Sequence, residues 1–315
     1  MKRVKLKLVE RLQTGYHRPG YKFSSNRALA QRYGICYQTA NRLIDELTRE
    51  GYLHRIPSSG TYVAGLEQPP QGVILSFNSH IREDNFGGLL LHCLQERLAK
   101  EGIPYRHVRG SAFKSYYKGQ YSIIWGQRYD LRDLSSHLQY SLIVDEELES
   151  GVNSVFTDRV AIDHYSMGQK CGHLLMKKGA KHVAMLAGRK STFATTRALK
   201  GFQEVFPDAE ILYQKDWGYN EAKESARSLH NKKLDGCFAI GDEGAKALQE
   251  EFGSKFPITS TGDERSLSAL NVEGVCIPWS KVVDEIIRLY RIRSNADATP
   301  GYRSKVKPSR VLKVS

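Results

Sequence analysis

Cysteine is sparse and scattered in this chain of 315 residues: Cys36, Cys93, Cys171, Cys237 and Cys276 form no CxxC pair. That spacing argues against a disulfide framework and a zinc site and reads as buried free thiols. No apolar run approaches the roughly 18–20 residues that a membrane-crossing helix needs. Residues Met1 to Leu8 alternate charged and apolar side chains without the apolar segment of a signal peptide, so a cytoplasmic protein is expected. Catalytic signatures are missing too. There is no GxSxG, P-loop or HExxH, and the ten histidines are dispersed with no triad or metal spacing. Neither an enzyme, nor a cofactor, nor a metal site is expected. No repeat of solenoid period and no extended low-complexity segment occurs.

What is present is length, apolar content and positive charge. A chain of this size suggests two or three domains, and 40% hydrophobic residues suffice for sizeable cores. The formal charge is +13. Met1–Leu66 carries twelve basic and four acidic side chains, so +8 of that charge lies in the first fifth of the chain. Such a concentration favours a polyanionic partner. The stretch "LEQPPQG", Leu66 to Gly72, reads as a linker, because tandem Pro69–Pro70 cannot continue a helix and favours stiff extended chain. The expected division is 1–65, a linker at 66–72, and a two-lobed body at 73–315 whose second lobe covers about 160–278.

Ahead of the linker, "SSNRALAQRYGI" carries a helix start at Ser24–Ser25 and a stop at Gly34. "CYQTANRLIDELTREG" follows as a second helix, with Ala40, Leu43, Ile44 and Leu47 at helical spacing and Gly51 closing it. Helix, tight turn, helix is helix-turn-helix geometry. The second helix presents Tyr37, Gln38, Thr39, Asn41 and Arg42 near its N-terminus, side chains suited to base edges and phosphates in a major groove. "YLHRIPSSGTYV" then gives two short strands around "PSSG", a wing.

These elements together resemble the GntR-family winged helix: Arg27, Leu29–Ala30, Gly34–Ile35, Thr39, Leu47, Gly51 and Gly60–Thr61–Tyr62–Val63 stand in the family's order and spacing, and "LQTGYHRPGYKFSS" resembles its lead-in. The resemblance covers Lys5 to Ala64. It implies that Arg27, Gln38, Thr39 and the wing at Gly60 contact DNA; position adds Tyr37, Asn41, Arg42, Arg55 and Ser59. Cys36 replaces the family's usual Ser or Thr cap, and Tyr37 and Asn41 stand where many members carry Arg. Arg55 is open to a second reading as an exposed wing residue, and Tyr37 to one as packing on the first helix.

Beyond the linker, strand-like runs such as "GVILSF", "YSIIWG" and "SLIVDE" alternate with helical stretches, which implies parallel sheets of the doubly wound α/β type. "VFTDRVAIDHYSMGQKCGHLLMKKGAKHVAMLAG" and "RALKGFQEVF" resemble the effector core of the lac-repressor family, whose fold is shared with periplasmic sugar-binding proteins. "LDGCFAIGDEGAKAL", "ITSTGDERS" and "VCIPWSKVVDEIIRLY" continue the likeness, which covers Gly72 to Ser315 with a first lobe that looks shortened. The resemblance implies a small-molecule effector, a sugar, held between two lobes. A polyol needs carboxylates and a guanidinium, which bond several hydroxyls in fixed geometry, and an aromatic face for its C–H surface. Asp163, Asp242, Asp263 and Arg197 meet the first need and Trp217 the second, with Phe77, Asn78 and Phe86 on the opposite wall. Asp163 reads equally as a helix cap and Trp217 as a packing residue. Arg197 precedes Gly201 by four residues where the family has three, and Gly241 stands where the family often has a ligand-contacting Asn.

The expectation from sequence is therefore a homodimeric DNA-binding transcription regulator, a repressor, that takes a double-stranded operator and a sugar-like effector. The alternative is a constitutive or architectural DNA-binding protein whose effector core no longer binds ligand.

Overall fold

The computed structural model describes residues 2–13, 16–17, 22–64, 72–77, 86–109, 120–126, 140–146, 157–215, 217–295, 303–308 and 310–312. Linker residues 65–71, Asn78 and most of the lead-in before Lys22 lie outside the described residues.

Three helices and a hairpin make the N-terminal head: α1 (Lys2–Gln13), α2 (Asn26–Tyr33), α3 (Tyr37–Arg49), β1 (Leu53–Ile56) and β2 (Gly60–Val63). The Ser25 hydroxyl accepts from the Ala28 N–H at 3.2 Å and starts α2. Gly34 ends it in the left-handed conformation, φ 62°, which only glycine adopts without strain. Ala40, Leu43, Ile44 and Leu47 are all buried, so the stripe read from sequence is the inner face of α3. Most of it meets Leu8 and Leu12 of α1, Leu29 of α2, and Phe23, Leu53 and Val63 in one core. Each fully buried leucine there contributes roughly 1.5–3 kcal/mol. The hairpin is antiparallel, with Leu53 opposite Val63 and Ile56 opposite Gly60. A third segment joins its outer edge, where the Phe23 N–H donates to the Thr61 carbonyl at 2.7 Å and Lys22 bridges to Tyr62.

The chain divides into two compact units, one formed by Met1–Glu83, Leu91–Val160 and Val283–Ser304, the other by Asp84–Leu90, Ala161–Val282 and Lys305–Ser315. The second unit thus gathers two short segments beyond the stretch expected for the second lobe.

The first sheet runs through β3 (Val73–Phe77), β4 (Tyr105–Arg109), β5 (Tyr121–Trp125), β6 (Tyr140–Val144) and β7 (Thr157–Ile162), with α4 (Phe86–Lys100) after β3. Its order is β4-β3-β5-β6-β7, all parallel, and β13 (Arg303–Val306) closes the far edge. Among the described residues this sheet has six strands. All five residues of β3 are buried, as both faces of a parallel sheet are covered. From the last turn of α10 (Trp279–Ser294), Arg293 enters this core. Its Nη2 lies 2.6 Å from Asp158 Oδ1, its Nε donates to Oδ2 at 3.1 Å, and the Tyr121 hydroxyl donates to Oδ2 at 2.7 Å. Mutual hydrogen bonding of this kind is what permits fully buried charges.

The second sheet repeats the plan. Its strands are β8 (Val183–Ala187), β9 (Glu210–Tyr213), β10 (Gly236–Ile240), β11 (Ile258–Gly262), β12 (Glu273–Cys276) and β14 (Arg310–Leu312), in the order β9-β8-β10-β11-β12-β14. All pairs are parallel except the edge pair β12–β14. Helices α5 (His164–Lys177), α6 (Phe193–Gln203), α7 (Tyr219–Ser228), α8 (Asp242–Phe252) and α9 (Glu264–Ala269) complete the unit. The chain leaves β8 first for β9 and then for β10 on its other side. The carboxyl ends of β8 and β10, at that reversal, are the usual seat of a ligand in such sheets.

Candidate functional site

In the head, the N-terminal turn of α3 is the most outward part of the helix pair. Tyr37 is 55% exposed, and Gln38 and Arg42 are exposed beside it. Arg27 on α2 is exposed as well. Thr39 is half-buried, its hydroxyl 3.1 Å from the Cys36 thiol. Cys36 occupies the N-cap of α3 without a side-chain capping bond, and the Thr39 hydroxyl holds its thiol below the ordinary range. The acids of α3 are paired within the head. Glu46 and Glu50 meet Lys5 of α1 at 3.1 and 2.5 Å, Arg42 also meets Glu46 at 3.5 Å, and Asp45 meets Arg55 at 2.8 Å.

Asn41 and Arg55 are not separate surface groups. The Asn41 side-chain oxygen accepts from Asn26 Nδ2 at 2.8 Å and from Arg55 Nη2 at 3.1 Å, while its Nδ2 donates to Asp45 at 3.1 Å. A groove of about 460 Å³ lies beside them, lined by Asn26, Asn41, Arg55, Pro57, Ser58, Gly60 and Thr61. Ser59 bonds the Tyr62 hydroxyl at 2.6 Å at the wing tip. At Gly60, φ is 134° and Lys22 crosses so closely that a Cβ would stand 2.7 Å from its Cε. Sequence reading missed Lys22, whose pairing with the wing has no local signature.

In the second unit, the carboxyl ends of the strands carry the other candidates. Asp242 opens α8 after β10, and Asp263 caps α9 after the neighbouring β11 by accepting from the Arg265 N–H at 3.0 Å. Asp242 sits over Gly262, where a Cβ would come 1.8 Å from its Oδ1. That oxygen is buried and accepts no hydrogen bond from described residues. Burial pushes the Asp242 carboxyl up to about 7; the charges of Asp263 and Glu243 push the same way, against the Ser266 hydroxyl and the Asp263 backbone. The group therefore titrates near neutrality at the carboxyl end of β10.

Trp217 follows β9, is 39% exposed, and packs on Gly188 at the end of β8, where a Cβ would meet the indole at 1.9 Å. Asp163 is buried and caps α5, accepting from the Ser166 N–H at 3.3 Å and hydroxyl at 2.9 Å, with Lys305 at 2.9 Å. Burial raises this carboxyl, but the bonds from Lys305 and Ser166 outweigh it and hold it below its ordinary value. Arg197 is half-buried, its guanidinium 5.6 Å from the centre of the Phe193 ring. Phe86 is half-buried, 4.5 Å edge-on to Trp279 and 6.5 Å from His164. Phe77 belongs to the first unit and is fully buried beside Trp125 and His107, a packing position rather than an open wall. Trp279, His164 and Lys305 were not singled out from sequence. Trp279 lies inside the stretch "VCIPWSKVVDEIIRLY", and Lys305 lies far along the chain from the acid it meets. Among the described residues no three His, Cys, Asp or Glu side chains are grouped to hold a metal, and no helix is long and apolar enough to cross a membrane.

Comparison with known proteins divides along the same line. Residues 1–63 match the family model of the bacterial regulatory proteins, gntR family, so the head is a GntR-type helix-turn-helix domain. Over 78 residues the chain is 35% identical to the histidine utilization repressor of Pseudomonas aeruginosa, a match covering 25% of this chain and 30% of that one. It therefore spans less than a third of that relative's length. Among solved structures, the complex of the transcriptional regulator CelR with cellobiose superposes with a TM-score of 0.66 at 16% identity, covering 92% of this chain and 98% of that one. A LacI family transcription regulator from Clostridium acetobutylicum gives 0.62 at 20% identity, covering 78% and 99%. The body thus has the two-lobed fold of LacI-type regulators, and the proteins it resembles here are regulators rather than enzymes.

Proposed function

We propose that this chain is a sequence-specific DNA-binding transcription regulator, acting as a repressor in the cytoplasm under control of a small polyhydroxylated effector, a sugar. The observation that carries the reading is the join itself: a GntR-type head with Tyr37, Gln38 and Arg42 turned outward on α3, on a body with the fold of LacI-type regulators. Two copies would place two heads on a two-fold symmetric operator, the geometry by which helix-turn-helix dimers read paired half-sites. Asp242, Asp263 and Trp217 at the strand ends supply acceptors and a ring face for a sugar, and a fold relative carries cellobiose. Effector control requires only that the sugar bind one arrangement of the protein more tightly than the other.

The test is selection of genomic fragments by the purified protein, followed by sequencing and by affinity measured against salt. A discrete inverted repeat, bound with a steep loss of affinity as salt rises, is the expected result. A flat salt response removes DNA from the account.

Gly241 favours a second reading, a constitutive DNA-binding protein with a closed or empty ligand site, because no side chain there reaches a ligand. Calorimetry against D-ribose, L-arabinose, D-galactose and cellobiose separates the two. Saturable heat that also shifts operator affinity supports the switch; saturable heat without such a shift argues against it.

A further inference from the structure

We propose that Asn41 and Asp45 of α3 do not read DNA but brace Arg55, so that the guanidinium reaching the DNA backbone at this place comes from the wing. The inference rests on the DNA-binding reading above and adds the division of labour within the head.

The geometry of the brace is specific. Asn41 and Asp45 lie one turn apart on α3, on the side that meets β1. Arg55 projects from β1 and touches both, Nη2 on Asn41 Oδ1 at 3.1 Å and Nη1 on Asp45 Oδ1 at 2.8 Å. The Asn41 amide has one orientation that fits: oxygen toward the Arg55 and Asn26 donors, nitrogen toward the Asp45 carboxylate. Its oxygen already accepts two bonds and one N–H is engaged, which leaves little to offer a base edge. Arg55 presents five N–H donors in a planar fork, and these contacts use only part of it. Its side chain remains 44% exposed along the groove of about 460 Å³ between α3 and the wing. Lys22 lies beside Gly60, one of the residues lining that groove. A planar fork fixed at two points, with a second cation beside the wing, suits a phosphate oxygen pair. It also accounts for Asn41 standing where many GntR-type heads carry Arg: the cation is present but is delivered from β1.

Electrostatics alone makes the opposite prediction for Asp45. Removing a carboxylate beside a polyanion should strengthen binding. If Asp45 orients Arg55, removing it should weaken binding although the protein becomes more positive.

The experiment measures affinity of full-length protein for a duplex recovered by the genomic selection, across a salt series. Expected results are roughly tenfold weaker binding for Asp45→Ala and Asn41→Ala, and for Arg55→Ala a slope of log affinity against log salt reduced by about one. Arg55→Lys keeps the charge without the fork, so it should weaken binding while keeping the slope. A melting curve for each variant shows whether the head is intact. Arg55→Lys, at an exposed site, carries the test if Asp45→Ala does not fold. Asp45→Ala binding as tightly as the parent, or Arg55→Ala with an unchanged slope, overturns the brace and leaves the regulator reading standing. A parent protein with no affinity for any duplex overturns both.

Discussion

At residue 241 the backbone takes φ 93° and ψ 159°, a region open to glycine and nearly closed to every other residue. The Asn that LacI-type sequences often place there is thus incompatible with this turn. A Cβ at Gly241 would meet nothing within 4 Å, so the cost of a side chain is conformational rather than steric. Gly241→Asn is expected to lower stability by about 1–3 kcal/mol without a packing defect, seen as an earlier denaturant midpoint with an unchanged slope. Next to it, the Asp242 carboxyl is raised by burial from the ordinary 3.8 to about 7 in the folded state. A raised acid favours the folded state while protonated, and that contribution fades as pH climbs from about 4 through 7. Asp242→Asn should therefore melt closer to the parent at pH 5 and gain on it by on the order of 1–3 kcal/mol at pH 8. Glu146 is raised to about 7 too, mainly by burial and then by Asp145, so the difference between the two proteins, not the parent's own profile, isolates Asp242.

Among the elements, the pair α5–α6 shows how the glycines of the LacI-like pattern work. A Cβ at Gly168 would stand 2.0 Å from the Ala198 carbonyl oxygen, and one at Gly201 would stand 2.0 Å from that of Tyr165. Backbone meets backbone at both points, with no flexible side chain to yield. Gly201→Ala should push the helices apart and cost on the order of 1–3 kcal/mol, measured by urea unfolding. Elements of this kind were legible in the sequence, because a buried stripe on α3 or an all-apolar β8 repeats at the period of its own backbone. The strand-end positions of Asp242 and Asp263 came from the likeness to the lac-repressor family. What escaped was set by distant partners. Asn41 reads from sequence as a DNA contact at the front of a recognition helix, and its bonds to Asn26 and Arg55, 15 and 14 residues away, have no trace there. Arg293, in the last turn of α10, is fully buried against Asp158, 135 residues earlier. Pairings across such distances leave no periodic trace.

For the molecule as a whole, the last dozen residues do disproportionate structural work. β13 edges the first sheet, β14 edges the second, and Lys305 of β13 meets Asp163. Deleting residues 303–315 should destabilise both lobes while sparing the head, whose core draws on residues 4–63 alone. Limited proteolysis of the shortened protein should leave a resistant fragment of roughly one small domain. The same topology sets an order of events on the ribosome. The head's core is complete once Val63 is made, whereas the first sheet lacks its edge strand until Val306 emerges and the second until Leu312 does. At about 5–20 residues per second, the interval between them lasts on the order of 10–50 s. During that interval each nascent chain carries a finished head and an unfinished body, and a message cut short before the codon for Arg303 would release folded heads on bodies that lack both edge strands.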